Sequence, residues 1–459
     1  MTGITDSDDR DQTTNKGWCL SVISMNEMTV PDVSVIVGAY EAMPYLVRCL
    51  ESVESQTMAH RIEVIAVDDG STDGTGAYLE KFAASTAIPT KVVRQANSGG
   101  PSGPRNVGLA LARGRYVFFL DADDYLGPEA LERMVAMADR AGTDVVLGKV
   151  EGVNRGAPSS MWGRTAERVD VYNSKVIYTL SAQKLFRREL VERLGLRFDE
   201  GMRTGEDALF TMEAYLRGGG VSVISDYTCY YLVGRDDGKH VTKSGDHTMR
   251  FEAVGALMKL IADIVPPGAK RDRLMVRPFT VGLLQQFPPG FMKQPEEVQR
   301  QKMELAAPLM RRYWGPGVAR LIKVSERLRL ECVALGRFDL LRDVLVFVRD
   351  GTRPEVVHRG RDRTPYLAFP HFGEKGSGLK DASFEVTVPD WIGKPGLESI
   401  HPPKVVRRRR SPARRVARRV RARIRRTGLT RAWARAGGRT AKAAAAVSAT
   451  ASRPTGQKA

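Results

Sequence analysis

Two carboxylate clusters, each carried near an apolar run, are the residues best equipped to do chemistry in this chain. In "YVFFLDADDYL" Asp121 and Asp123 stand two apart at the end of a β-rich run, so extended backbone puts both side chains on one face. Such a pair repels unless a cation sits between them. A hard ion such as Mg2+ or Mn2+ favours few carboxylates together with phosphate oxygens and water, so the motif points to a metal–diphosphate complex. The same residues would also serve as an acidic strand-to-helix turn, with Asp123 or Asp124 opening the helix that has Pro128 near its first turn. In "RTGEDALFTMEAYL" Asp207 lies near a helix start, where a carboxylate can act as a general base, and Thr204 and Asp207 equally have the spacing of a capping box.

A third acidic stretch, "DDGSTDGTGAYLE", begins at Asp68. From Asp69 its spacing fits an EF-hand loop, with Asp69, Ser71, Asp73, Gly74 and Glu80 at the expected positions. An EF-hand needs an entering helix, whereas "IEVIAV" before it reads as a buried strand, so the context disagrees with calcium. The stretch "NSGGPSGPRNVGLALARGRYV" contains neither GxxxxGK[ST] nor GxGxxG. It offers a Gly/Pro-shaped loop that sets Arg105 and Asn106 at a helix start, where guanidinium and free N–H groups can meet an anion, or where Arg105 is simply solvated.

These residues need strands to carry them, and residues 33–150 supply an alternation. Apolar runs "VSVIV", "IEVIAV", "KVVR", "YVFFL" and "DVVLG" alternate with helical stretches at 44–56, 75–85, 103–112 and 128–141. The pattern predicts an α/β fold with a mostly parallel sheet covered on both faces, whose ligands bind at the carboxyl ends of the strands. "EDALFTMEAYL", "VSVIS" and "YYLV" are expected to complete this domain. The expected divisions are a disordered leader (1–30), the α/β domain (31–248), a helical region (249–330), a small β-rich unit (331–400) built on runs such as "DVLVFV" and "SFEVTV", and a polybasic tail (401–459).

The net charge of +18 is concentrated at one end. Of 71 Lys and Arg residues, 19 lie in 401–459, where there is no Asp or Glu; the remaining 52 meet 53 acidic residues. In the tail, Ser411-Pro412 reads as a helix start, with Val416, Val420 and Ile424 on one stripe. An anionic membrane surface is the favoured partner, since each nearby Lys or Arg can contribute about 1 kcal/mol. A polyphosphate acceptor is the second reading, and a tail with no specific partner is a third. One aromatic residue, Trp433, is no stacking platform, which counts against nucleic acid. Cys19, Cys49, Cys229 and Cys332 form no CxxC pair, which argues against a zinc cluster or disulfide scaffold. The polar start and the lack of a long apolar run lead to an expected cytoplasmic location, peripheral at the inner face of the plasma membrane.

Taken in order, an apolar strand ending in "AY", then "VDDGSTD", "GGPSGPRN", "GRYVFFLDADD" and "GED" resemble the inverting family 2 glycosyltransferases with the GT-A fold over residues 33 to about 245. The resemblance implies that Ala39 and Tyr40 line the base pocket and that Asp68 or Asp69 contacts the base. It further implies that Asp121 faces the nucleotide, that Asp123 ligates Mg2+ or Mn2+, and that Asp207 is the base. Gly38 and Glu41 depart from the family's usual Pro and Asn. "GGPSGPRN" with the later "YYLVGRDDGKHVT" is similar to wall teichoic acid N-acetylglucosaminyltransferases acting on poly(ribitol phosphate), which implies Arg235, Lys239, His240 and Thr242 as candidates in a loop closing over the diphosphate. The implied partners are a nucleotide-sugar donor, a UDP-linked one favoured, and an envelope polymer or lipid-linked acceptor. Because relatives trimerise through C-terminal β-rich modules, a homo-oligomer is implied as well. The rival expectation is a catalytically silent GT-A protein serving as a basic assembly factor.

Overall fold

The computed structural model describes residues 30–236 and 246–387. The first strands are β1 (Val33–Ala39), β2 (Ile62–Asp68), β3 (Thr90–Arg94) and β4 (Tyr116–Asp121), with helices α1 (Tyr45–Glu54), α2 (Thr75–Ser85) and α3 (Ser102–Leu111) between them. β1 and β2 are buried almost throughout, as expected of strands covered on both faces. After β4 come β5 (Tyr125–Leu126), α4 (Ala130–Ala141), β6 (Val145–Val153), β7 (Ala166–Val169), β8 (Leu185–Arg187), α5 (Arg188–Leu194), α6 (Glu206–Arg217) and β9 (Val221–Val233). All nine strands join one sheet, in the order β3-β2-β1-β4-β8-β6-β9-β5, with β7 on β9. β1 pairs in parallel with β2 and β4, β2 with β3, and β6 with β9, while β8 runs antiparallel between β4 and β6. The expected GT-A-like α/β architecture is what the chain adopts, with "VSVIS" and "YYLV" merged into the single strand β9.

The helical region follows as α7 (His247–Ile264), α8 (Ala269–Arg277), α9 (Glu296–Tyr313), α10 (Pro316–Ala319), α11 (Val324–Ala334) and α12 (Phe338–Arg349). A hairpin, β10 (Glu355–Arg359) and β11 (Thr364–Ala368), and a short α13 (Asp381–Phe384) close the described chain. The β-rich expectation for 331–400 needs correcting here. "DVLVFV" lies within α12, whose buried Leu340, Leu341, Val344 and Leu345 recur at helical spacing, and the described residues of "SFEVTV" contribute the end of α13 and one isolated bridge. A short apolar run fits a buried helix face as well as a strand, and packing decided for the helix.

Two apolar clusters flank the sheet. Val33, Val35, Val37, Val64 and Phe118 pack with α1, α2 and α4 on one face. Ile36, Val117, Phe119, Val145 and Phe186 pack on the other with α6 and with the helices that follow, in one cluster reaching Phe384. Cys49, Cys229 and Cys332 are buried free thiols. Among the described residues no helix is long and apolar enough to cross a membrane.

Candidate active site at the carboxyl ends of the strands

β1, β2 and β4 end side by side at Ala39, Asp68 and Asp121, with Ala39 in register with Asp68 and Gly38 with Asp121. Ala39 is buried, whereas Tyr40 just beyond it is 54% exposed. Asp68 and Asp69 are both buried and both engaged. Asp68 accepts from the Ser71 N–H at 3.1 Å and pairs with Arg94 Nε at 3.4 Å. Asp69 is more fully used: Gln95 Nε2 donates to it at 2.6 Å, and Ser98 donates from both N and Oγ. The pair therefore fastens the loops around the groove, and Tyr40 is the accessible surface beside them. Asp73 caps α2 through Thr75 and accepts from the Met43 N–H at 2.9 Å, and Glu80 sits exposed on α2, so the EF-hand spacing builds no calcium loop. Glu41, the departure from the family pattern, accepts from Thr72 N at 2.7 Å and Thr72 Oγ1 at 2.9 Å, tying the first loop to the second.

Arg105 is the centre of the site. Gly108 lets α3 lie close on β1, since a Cβ there would fall 2.3 Å from Ile36 Cγ2, and this brings the buried Arg105 beneath the groove. Its Nη2 donates to Asp121 Oδ1 at 2.8 Å and its Nη1 to Glu206 Oε1 at 3.1 Å. Burial alone would lower the guanidinium pKa, but Asp121 and Glu206 outweigh it and raise it further above its ordinary value. Gln183 donates to the other oxygen of Asp121. Arg105 is thus a strut between two carboxylates rather than a solvated cation. Asn106 is likewise committed: its amide donates to Phe198 O and Glu200 Oε1, each at 2.8 Å, and its oxygen accepts from the Phe198 N–H at 2.9 Å.

Asp123 differs from its neighbours. It is half-buried, and its carboxylate has no side-chain partner among the described residues. Burial, with Asp121 beside it, pushes its pKa up to about 6, opposed by the charges of Arg235 and Arg155. Asp124 turns inward instead, accepting from Tyr230 Oη at 2.6 Å and Val233 N at 2.7 Å, and burial followed by the two neighbouring aspartates pushes it up to about 8. A lone available carboxylate fits a divalent ion completed by diphosphate oxygens. Among the described residues no cluster of three metal-binding side chains exists that would hold an ion without that help.

Arg235 reaches back from the end of β9, donating to Glu41 O at 2.9 Å with its guanidinium 5.0 Å from the Tyr45 ring. Gly234 permits this crossing, because a Cβ there would fall 2.5 Å from Asn154 O. The crossing also brings Arg155 near Asp123. Nothing in the sequence flagged Arg155, because its neighbours come from β9, about eighty residues away. Lys239, His240 and Thr242 lie outside the described residues, as do the leader and the polybasic tail.

The capping-box reading of Thr204 and Asp207 does not hold. α6 starts at Glu206, with Gly205 as its N-cap at φ +86° and no side-chain cap bond. Gly205 is required twice over, since a Cβ would also fall 2.7 Å from Ala253 of α7. One turn beyond, Phe210 stacks on Phe198 at 4.4 Å and meets Phe119 of β4 edge-on at 5.6 Å, which fixes α6 against the sheet. Asp207 is half-buried among packed atoms; burial raises its pKa, while Arg105, Lys184 and Arg277 partly offset the rise. Glu206 is pushed up to about 7 by burial and by Asp207. Lys184, buried below them, is brought down to about 7 by burial.

Residues 34–195 match the family described as Glycosyl transferase family 2, and residues 249–345 match the Glycosyl transferase TarS linker domain. The crystal structure of Staphylococcus aureus TarS 1-349 in complex with UDP-GlcNAc superimposes with a TM-score of 0.66 at 32% identity, covering 74% of this chain and 97% of that one. The chain belongs to glycosyl transferase family 2. Among curated relatives, the poly(ribitol-phosphate) beta-glucosyltransferase of Bacillus spizizenii is 39% identical over 46% of this family 2 chain and 33% of its own length. The poly(ribitol-phosphate) beta-N-acetylglucosaminyltransferase TarS of S. aureus is 41% identical over 50% of this chain and 39% of its own. The chain therefore spans well under half the length of either curated relative.

Proposed function

We propose that this protein is an inverting glycosyltransferase that moves a sugar from a UDP-linked donor to a hydroxyl of a poly(ribitol phosphate)-type polymer. The observation that carries the reading is the Asp121–Arg105–Glu206 bridge. It ties Asp121, which we assign to the nucleotide side, to Glu206, the neighbour of the proposed base Asp207. The names of the two poly(ribitol-phosphate) relatives and the UDP-GlcNAc complex of TarS support the substrate classes.

In this mechanism the uracil lies against the exposed Tyr40, in a loop whose shape Asp68, Asp69 and Glu41 maintain. Asp123 together with the diphosphate oxygens would hold Mg2+ or Mn2+, which when bound offsets negative charge on the leaving nucleotide. Arg235 and Arg155 add positive charge on the same side. Asp207 accepts the proton of the acceptor hydroxyl as that oxygen bonds to the anomeric carbon. The bond to UDP breaks on the opposite face, so configuration inverts and the electron pair leaves with the nucleotide. Arg105, Asn106 and Gln183 act as positioning residues. The basic tail is read as holding the enzyme at an anionic membrane surface.

The test is a panel of UDP-sugars with Mn2+ and a poly(ribitol phosphate) acceptor, read by sugar incorporated into polymer and by the anomeric configuration of the product. Incorporation in the opposite configuration to the donor is expected. Absence of transfer from every donor would sink the reading.

A further inference from the structure

Two cations lie behind the proposed base without an acid bonded to either. Lys184 is 2% exposed, and its Nζ donates to Ser181 O and, at 3.4 Å, to Ser181 Oγ. Arg277 ends α8, and its buried Nε has no hydrogen-bond partner. Neither side chain makes an ion pair among the described residues. Taking a charge out of water is costly unless an opposite charge compensates it. The acid within electrostatic reach of both is Asp207, and each of the two favours its carboxylate form.

The fold brings the three residues together from three elements. Asp207, Thr211 and Tyr215 recur at i, i+4 and i+8, which is one stripe of α6. Thr211 Oγ1 donates to Ser181 O at 3.2 Å and Tyr215 Oη to Thr179 O at 3.0 Å, so this stripe faces residues 179–184. Ser181 O therefore serves Thr211 and Lys184 at once, which sets the ammonium against the turn of α6 that Asp207 begins. Arg277 arrives on α8, which packs in the same apolar cluster as α6 through Leu274 and Met275. Pro278 has no N–H to continue the α-helical ladder, and the chain opens into a π-helical turn, Pro278–Leu283, directly after Arg277. The guanidinium there lies in the field of Asp207, Lys184, Tyr215 and Tyr178.

We propose that Lys184 and Arg277 are positioning residues for the reaction, a cationic floor that holds the Asp207 carboxylate for proton transfer. The inference rests on Asp207 being the base. Through Arg277 it makes the helical region a contributor to the chemistry as well as a support for it. The charged groups facing Asp207 are Arg105 of α3, Lys184, Arg277 and the adjacent Glu206; the three cations favour the carboxylate, and Glu206 repels it.

The experiment uses the full chain, unaltered and as Lys184→Met, Arg277→Met, Arg277→Gln and Arg277→Lys, in transfer from a UDP-sugar to poly(ribitol phosphate). Rates are measured across pH, with unfolding midpoints alongside. Without one of the positive charges Asp207 is harder to ionise. The acid limb of kcat/KM should then move up by about one pH unit in each neutral variant, leaving kcat/KM about tenfold lower at every pH below it. KM for the donor should be unchanged, and Arg277→Lys should restore the limb. Stability should hold or rise in the two Met variants, because each removes an uncompensated buried charge and Ser181 O keeps Thr211 as a donor; a purely structural side chain would lower it. Should Arg277→Met fail to fold, Arg277→Gln carries the same test. An acid limb in the unaltered position in all the neutral variants would overturn the inference and leave the base assignment standing. Turnover retained by Asp207→Asn would remove the base and this inference together, as would absence of transfer from every donor.

Discussion

Replacing Arg105 with Met separates two roles that an arginine beside a diphosphate could have. In this structure its guanidinium is buried and divided between Asp121 Oδ1 at 2.8 Å and Glu206 Oε1 at 3.1 Å. Removing one partner of a buried ion pair typically costs about 3–5 kcal/mol, because the charge left behind is uncompensated. Here two carboxylates would be stranded, with Asp123 and Asp207 already close by, so Arg105→Met should sit at the upper end of that range. Arg105→Lys should recover only part of it, since an ammonium cannot reproduce the planar fork. The assay is chemical unfolding of Arg105→Met, Glu206→Gln and the double variant, alongside calorimetric titration with UDP. Destabilisation should be non-additive, with a coupling of about 0.5–3 kcal/mol between the two sites, as for residues in direct contact. UDP affinity should fall less than stability does. A variant of unchanged stability whose UDP affinity drops tenfold or more would refute the strut and restore a direct anion contact.

Asp207→Asn should lower kcat about 10²–10⁴-fold with donor affinity near normal, as measured by steady-state kinetics and calorimetry; retained turnover would remove the base assignment. Asp123→Ala should abolish activity together with its response to Mn2+ titration, and a metal-independent active variant would contradict the ligand role. The pH dependence has a definite sign. Burial raises Asp207 above its ordinary value, and the base works only when deprotonated, so kcat/KM should fall with decreasing pH from above the ordinary carboxylate range; burial and Asp207 together push Glu206 up to about 7. Stability runs the other way. The folded state holds this proton more tightly than the unfolded chain, so the stabilising effect is complete below the ordinary carboxylate pKa and is lost as pH rises through about 7, a trend that unfolding midpoints across pH should show.

The elements nearest the site were legible because their physics is local. Strands β1, β2 and β4 are largely apolar runs, β2 and β4 ending in aspartates, and a strand covered on both faces needs no partner to announce itself. The antiparallel β8, three residues long, carries no such signal, and α12 imitates a strand because four buried aliphatic residues crowd its sequence. In the site, Asp121, Asp123 and Asp207 could be picked out by type and spacing. What the strut does could not be read, since Arg105 and Glu206 are 101 residues apart and Asn106 meets Phe198 across 92. The same distance hid Arg155 and Gln183, whose roles exist only once β9 crosses β6 and the 176–184 segment folds beside β4.

The apolar cluster that begins at Ile36 under the sheet and runs without interruption to Phe384 has a practical meaning for anyone cutting this protein. A fragment ended near residue 248, where the catalytic half looks complete by its motifs, would strip α7 from beside Gly205 and leave the underside of α6 facing water. The helices behind the sheet are the foundation on which the proposed base stands, and a minimal working piece has to keep them.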